Sequence, residues 1–132
     1  MDTDDENQRQ EQDERAARIA ALNDGLRMNV SNPQGTDCVF MTPGLAALIE
    51  DSTSQPFWID MQALRRIIRT YDDFGTANDP WAERDFGGFT FKGTACFWKV
   101  DYYAHDMEHG SPDPADPAVT SRVLTIATMA EY

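Results

Sequence analysis

Apolar and polar residues alternate most regularly between Gly87 and Tyr103, where FTF, the pair Lys92-Gly93 and TACFWKVDYY succeed one another. Two aromatic-rich runs joined by a lysine and a glycine predict an antiparallel hairpin, about 87–92 with 94–103, turning at Lys92-Gly93. A period of two puts Cys96, Trp98, Val100 and Tyr102 on one face of the second strand and Phe97, Lys99, Asp101 and Tyr103 on the other. Both faces carry aromatics. That strand is therefore expected at the centre of a sheet, or covered by helices on one side and by the tail or a partner on the other.

Elsewhere the spacing is helical or mixed. Ala16, Ala17, Ile19, Ala20 and Leu22 predict a three-turn helix from about Glu11 to Asn23, stopped by Asp24-Gly25. CVFMT, from Cys38 to Thr42, reads as a buried strand, and Thr42-Pro43 opens a short helix to Leu48 or Ile49, with Thr as cap and Pro at the first position. Asp51 to Gln55 form a loop. Asp60 then caps an amphipathic helix, MQALRRIIRTYD, with Met61, Leu64, Ile67 and Ile68 on one face and Arg65, Arg66 and Arg69 on another. Asn78-Asp79-Pro80 marks a turn, and residues 104–116 a loop. Asp116-Pro117 predicts a last helix that buries Val119, Val123, Leu124, Ile126, Ala127 and Ala130, although the β-branched content of RVLTIAT also allows a strand.

These elements make an α+β protein, one small domain with an antiparallel sheet centred on the hairpin at about 87–103 and packed by two to four helices. At 132 residues the chain buries roughly two-thirds of its unfolded surface. Its 14 aromatics argue against global disorder. Residues 1–12 hold no apolar side chain beyond Met1 and read as an acidic disordered tail, leaving 13–132 as the domain. Cys38 and Cys96, each within an apolar stretch, read as buried thiols rather than a disulfide. The N-terminus has neither the cationic start nor the apolar core of a secretory signal, and no apolar run reaches 18 residues, so a cytoplasmic protein with no membrane contact is expected.

Charge changes the picture more than composition does. Of the net −12, residues 1–14 carry −6, from seven acids against Arg9, and the remaining residues carry the other −6. Direct nucleic-acid binding needs clustered Lys and Arg, and the chain has only two lysines, Lys92 and Lys99. Between Val100 and Ser121 stand five acids, Asp101, Asp106, Glu108, Asp113 and Asp116, with no Lys or Arg.

The succession LND (Leu22 to Asp24), T-x-G-x-x-AL (Thr42 to Leu48), NDP, E-x-D-F-G, FWK-x-DYY, S-x-DPADPAVT-x-RVLTI and a terminal EY resembles the small bacterial proteins of domain-of-unknown-function family 3768. The likeness covers about residues 17–132 and leaves the acidic tail outside. The family's pattern has a histidine between the acids of E-H-D-F-G. Arg84 stands there in this chain, which counts against a catalytic or metal-binding histidine at that point. The resemblance implies no activity. Members resemble cargo of plasmids and other mobile elements, which implies accessory or anti-defence roles.

The chemistry in the chain is sparse. His105 and His109 flank Asp106 and Glu108, but Gly110-Ser111-Pro112 comes at once and the pattern is not HExxH, so a solvated loop is the simpler account and neither metal nor cofactor is expected. Asp79, Glu83 and Asp85, with Asp101, could serve a metal-assisted hydrolase, yet loop carboxylates more commonly cap turns or pair with arginines. Trp81, Phe86, Phe97, Trp98, Tyr102 and Tyr103 are expected in the core. The favoured reading is a small acidic interaction protein, an anti-CRISPR or anti-restriction inhibitor that binds a basic groove of a nucleic-acid-handling complex. Its binding residues would be Asp101, Asp106, Glu108, Asp113, Asp116, Asp79, Glu83 and Asp85.

Overall fold

The computed structural model describes residues 3–50 and 56–132. The expected loop Asp51–Gln55 lies outside them. Helix α1 runs over Thr3–Met28. Where the sequence suggests an unstructured tail, residues 3–12 are helical, though each is exposed. Asp4, Asp5 and Glu6 in the first turn suit the positive end of the helix dipole. Asp5 and Arg9, like Glu14 and Arg18, stand four apart with the acid first, the favourable order. The helix also passes through Asp24-Gly25 rather than stopping there, because Leu26 and Arg27 beyond it are buried. The Arg27 guanidinium donates to the carbonyls of Ile68 and Tyr71, at 2.9 and 3.0 Å, and pairs with Asp24 at 2.7 Å.

Strand β1 (Cys38–Met41) leads into α2 (Pro43–Glu50), where the Thr42 hydroxyl accepts from the Leu45 N–H as the expected cap. Helix α3 spans Phe57–Thr70. Asp60 is therefore not its cap but a buried member of the first turn. There it meets Lys92 Nζ at 3.1 Å, and Lys92 also donates to the Leu48 carbonyl at 2.6 Å. One lysine thus ties the hairpin turn to both helices. Arg65 is half-buried on α3, and Arg66 and Arg69 are exposed.

The hairpin pairs β2 (Phe86–Phe91) with β3 (Thr94–Tyr103). Its two-residue turn has Lys92 at φ 51° and Gly93 at φ 78°, the doubly left-handed geometry that matches strand twist. The last long element corrects the helix expected after Asp116-Pro117. Asp116 does accept from the Ala118 N–H, but it heads only the 3-10 turn Pro117–Val119, and Ser121–Thr128 is strand β4. Its β-branched side chains pack in the middle of the sheet, where pairing on both edges overrides a helical start signal. The sheet order is β1-β4-β3-β2. It is mixed rather than antiparallel, because β1 lies parallel to β4.

Leu26, Leu45, Ile49, Leu64 and Ile68 of the three helices meet Cys96, Trp98, Val100, Leu124 and Ile126 on one face of the sheet. The other face carries Phe86 stacked on Phe97 at 5.6 Å. The 3-10 turn Met129–Glu131 swings Tyr132 to 5.3 Å from Phe97. That turn is pinned by Glu131, whose carboxylate accepts from Thr42 Oγ1 at 2.6 Å, Gly44 N at 3.0 Å and Thr128 N at 2.9 Å. Cys96 is buried as expected, whereas Cys38, at the start of the edge strand β1, is exposed; both are free. No helix among the described residues is long and apolar enough to cross a membrane.

Candidate interaction surface

The segment between α3 and β2 is a turn built by side chains. Asn78 accepts from the Gly75 N–H at 2.8 Å and donates to the Asp73 carbonyl at 2.7 Å. Asp79 Oδ1 accepts from the N–H groups of both Glu83 and Arg84, at 3.1 Å each. That grip holds Ala82 at φ 57° and Arg84 at φ 54°, a conformation that costs a residue bearing a Cβ on the order of 1 kcal/mol or more. The same turn lifts Trp81 into solvent, 77% exposed. Trp81 is thus removed from the expected core, because a side chain next to Pro80 in a turn has no sheet face to join.

The turn is fastened to α1. Asn23, fully buried, donates through Nδ2 to the Glu83 carbonyl at 3.0 Å and to the Tyr102 hydroxyl at 2.8 Å. Tyr102 in turn donates to Glu83 Oε1 at 3.0 Å. Arg84 pairs with Asp24 at 3.0 Å and lies over the Phe74 ring. Beneath them Arg122, also buried, donates through Nε to Asn23 Oδ1 at 2.9 Å and through a terminal nitrogen to the Pro114 carbonyl, with its guanidinium over the Tyr102 ring. Burial first, and then the Glu83 and Asp85 charges, push the Tyr102 hydroxyl well above its ordinary range, so it stays a donor. Burial, then the charge of Glu83, raises the Asp85 carboxyl, with Asp79 and Asp101 adding to it. Burial also lowers Arg122 from its ordinary value.

The loop acids are likewise used locally. Thr120 Oγ1 donates to the carbonyls of Asp113 and Asp116, at 2.8 Å each, closing the Asp-Pro-Ala-Asp-Pro loop on itself. Asp113 Oδ1 accepts from the Ala115 N–H and pairs with Arg15 of α1 at 3.1 Å. Asp106 accepts from the N–H groups of Glu108 and His109 and meets the His109 ring at 2.7 Å, and that ring, ahead of the two N–H groups, lowers the carboxyl. His105 binds Ser121 Oγ and the Ala118 carbonyl through its two ring nitrogens. No group of three or more His, Cys, Asp or Glu among the described residues could hold a metal ion.

The residues singled out from sequence therefore fall into three places. Asp79, Glu83 and Asp85 belong to the turn; Asp106, Glu108, Asp113 and Asp116 to the loops after β3; Asp101 lies on the far face of the sheet, paired with Lys99 at 3.0 Å. The first two groups each reach α1 through one residue. Asn23 holds Glu83 and Arg15 holds Asp113, two points about 12 Å apart along α1. Sequence reasoning missed Arg15 and Asp13 as members of this surface and Asn23 as the buried residue that fastens it. The one local signal for Asn23 was a polar residue on the apolar stripe of α1.

A groove of about 590 Å³ runs between α1 and the turn, lined by Ala16, Ala17, Pro80, Trp81 and Ala82 together with the polar residues Gln12, Asp13, Arg15 and Glu83.

The family described as Protein of unknown function (DUF3768) matches residues 41–131, and the chain belongs to that family. No curated protein and no solved structure matches it.

Proposed function

We propose that this member of the family is a binding protein that captures a basic surface on another protein, acting as an inhibitor of a nucleic-acid-handling complex of the CRISPR-effector or restriction-enzyme kind. The reading rests on the Arg15–Asp113 contact, which brings the acidic stretch of α1 beside the acidic loop although the two lie 98 positions apart in the chain. Residues 3–14 carry six acids against Arg9, spread along about 18 Å of exposed helix. Duplex DNA presents roughly 11 charges over that length, so the helix alone offers about half the density. A field of this sign repels nucleic acid and steers a cationic protein inwards. Two free cysteines, one at the surface, suit a reducing cytoplasm.

Asp106 and Asp113 hold their own turns, so the test reverses charges elsewhere, in a Glu6→Lys, Glu11→Lys, Glu108→Lys variant. The immobilised parent should retain nucleic-acid enzymes from bacterial lysate that elute as salt rises, and the variant should bind the same enzymes with an association rate at least about tenfold lower at equal stability. An association rate that is unchanged, with an unchanged salt dependence, removes the acidic surface as the binding device.

A further inference from the structure

We infer that the groove between α1 and the turn receives an arginine of a partner protein, with the guanidinium stacked on Trp81. This rests on the acidic-surface reading and names the point on that surface where recognition occurs. A large aromatic held in water by a strained turn gains most from a partner that covers its face. Ala16, Ala17 and Ala82 give the groove its apolar part, and Asp13, Glu83 and Arg15 are among its polar lining. The nearby cations are already engaged, Arg15 by Asp113 and Arg84 by Asp24.

Charge selects the occupant. The chain's net −12 repels both a nucleic acid and a second copy of itself, which leaves a cationic protein segment. Among cations, arginine alone combines a flat face for the indole with a fork of N–H donors for carboxylates, whereas lysine brings a strongly hydrated point charge.

The probe is a nonapeptide of alternating glycine and arginine, compared with its lysine and citrulline counterparts by NMR titration of the full chain. The Trp81 indole N–H and the amides of Ala16, Ala17 and Ala82 should shift saturably, while the indole N–H of buried Trp98 stays still. The arginine peptide should bind at least about threefold more tightly than the lysine peptide at the same salt, and citrulline should not bind. Trp81→Leu, which keeps an apolar side chain but removes the ring face, should abolish that preference with no change in melting temperature.

If both cationic peptides bind equally, shift only the residues around Glu6, Glu11 and Glu108, and are indifferent to Trp81→Leu, the groove inference is overturned while the acidic surface stands. If the charge-reversed variant keeps the arginine preference and the Trp81 shifts at undiminished affinity, the groove stands and the wider acidic surface does not. A Trp81 indole that does not move with any peptide overturns the groove outright.

Discussion

Trp81 and Trp98 lie in one aromatic-rich stretch and met opposite fates. Trp98 is fully buried on β3, edge-on to Tyr71 at 5.5 Å and to Phe74 at 6.1 Å, with the Arg27 guanidinium 4.9 Å from its ring. Even the residue across the hairpin is adapted to it: a Cβ on Gly87 would come within 2.3 Å of the indole nitrogen. Among the described residues that nitrogen has no hydrogen-bond partner, a cost of about 1–3 kcal/mol that burial of the ring outweighs. Trp81 has comparable apolar area and none of this cover. The difference is backbone pairing. A strand hydrogen-bonded on both edges commits alternate side chains to the core, whereas the Asp79-organised turn spends its N–H groups on a side chain and leaves its aromatic outside.

The sharpest way to break that comparison is alanine at both sites. Trp98→Ala should lose about 3–5 kcal/mol in urea denaturation, and Trp81→Ala should stay within about 0.5 kcal/mol of the parent. Equal losses would mean that Trp81 is packed after all. A smaller effect is expected from acid. The hydroxyl of Thr42, then the Thr128 N–H, hold the Glu131 carboxyl at about 2, below its ordinary 4.5. Because the folded value is the lower one, the stabilisation is fully present above pH 4.5 and is lost as pH falls towards 2. Glu131→Gln should therefore flatten the pH dependence of the melting temperature within that window and free Tyr132 from Phe97. An unchanged acid limb would detach the C-terminal turn from the sheet's outer face. Smallest of all should be deletion of residues 1–12, in which residues 3–12 are exposed throughout; it should move the melting temperature by less than about 5 °C, and a larger drop would show this half of the helix to be docked.

What could be read from sequence tracked the range of the interactions involved. Lys92-Gly93 and the alternation after it specify the hairpin through neighbours alone, as Thr42-Pro43 specifies the start of α2. Asp116-Pro117 is as strong a local signal and does cap a turn, but the pairing of Val123, Leu124, Thr125 and Ile126 with both β1 and β3 makes the next element a strand. Asp60 looks like a cap until Lys92, 32 positions on, is seen to need it. The surface was the least legible part. The link between Asn23 and Arg122 spans 99 positions, and no spacing rule reaches that far. Individual acids were identifiable, but their sorting around α1 was not.

The place of β4 between β1 and β3 also sets the order in which the molecule can assemble. The two-residue turn lets β2 and β3 close on each other within microseconds, whereas Cys38 must wait for Val123, 85 positions later. At a ribosome adding about 5–20 residues per second, that wait is roughly 4–17 s. For that interval β1 has no strand to join, and α2 and α3 have at most the β2–β3 hairpin to cover. The first half of the chain is thus born before the template it folds on, and the last strand is the one that lets both halves close.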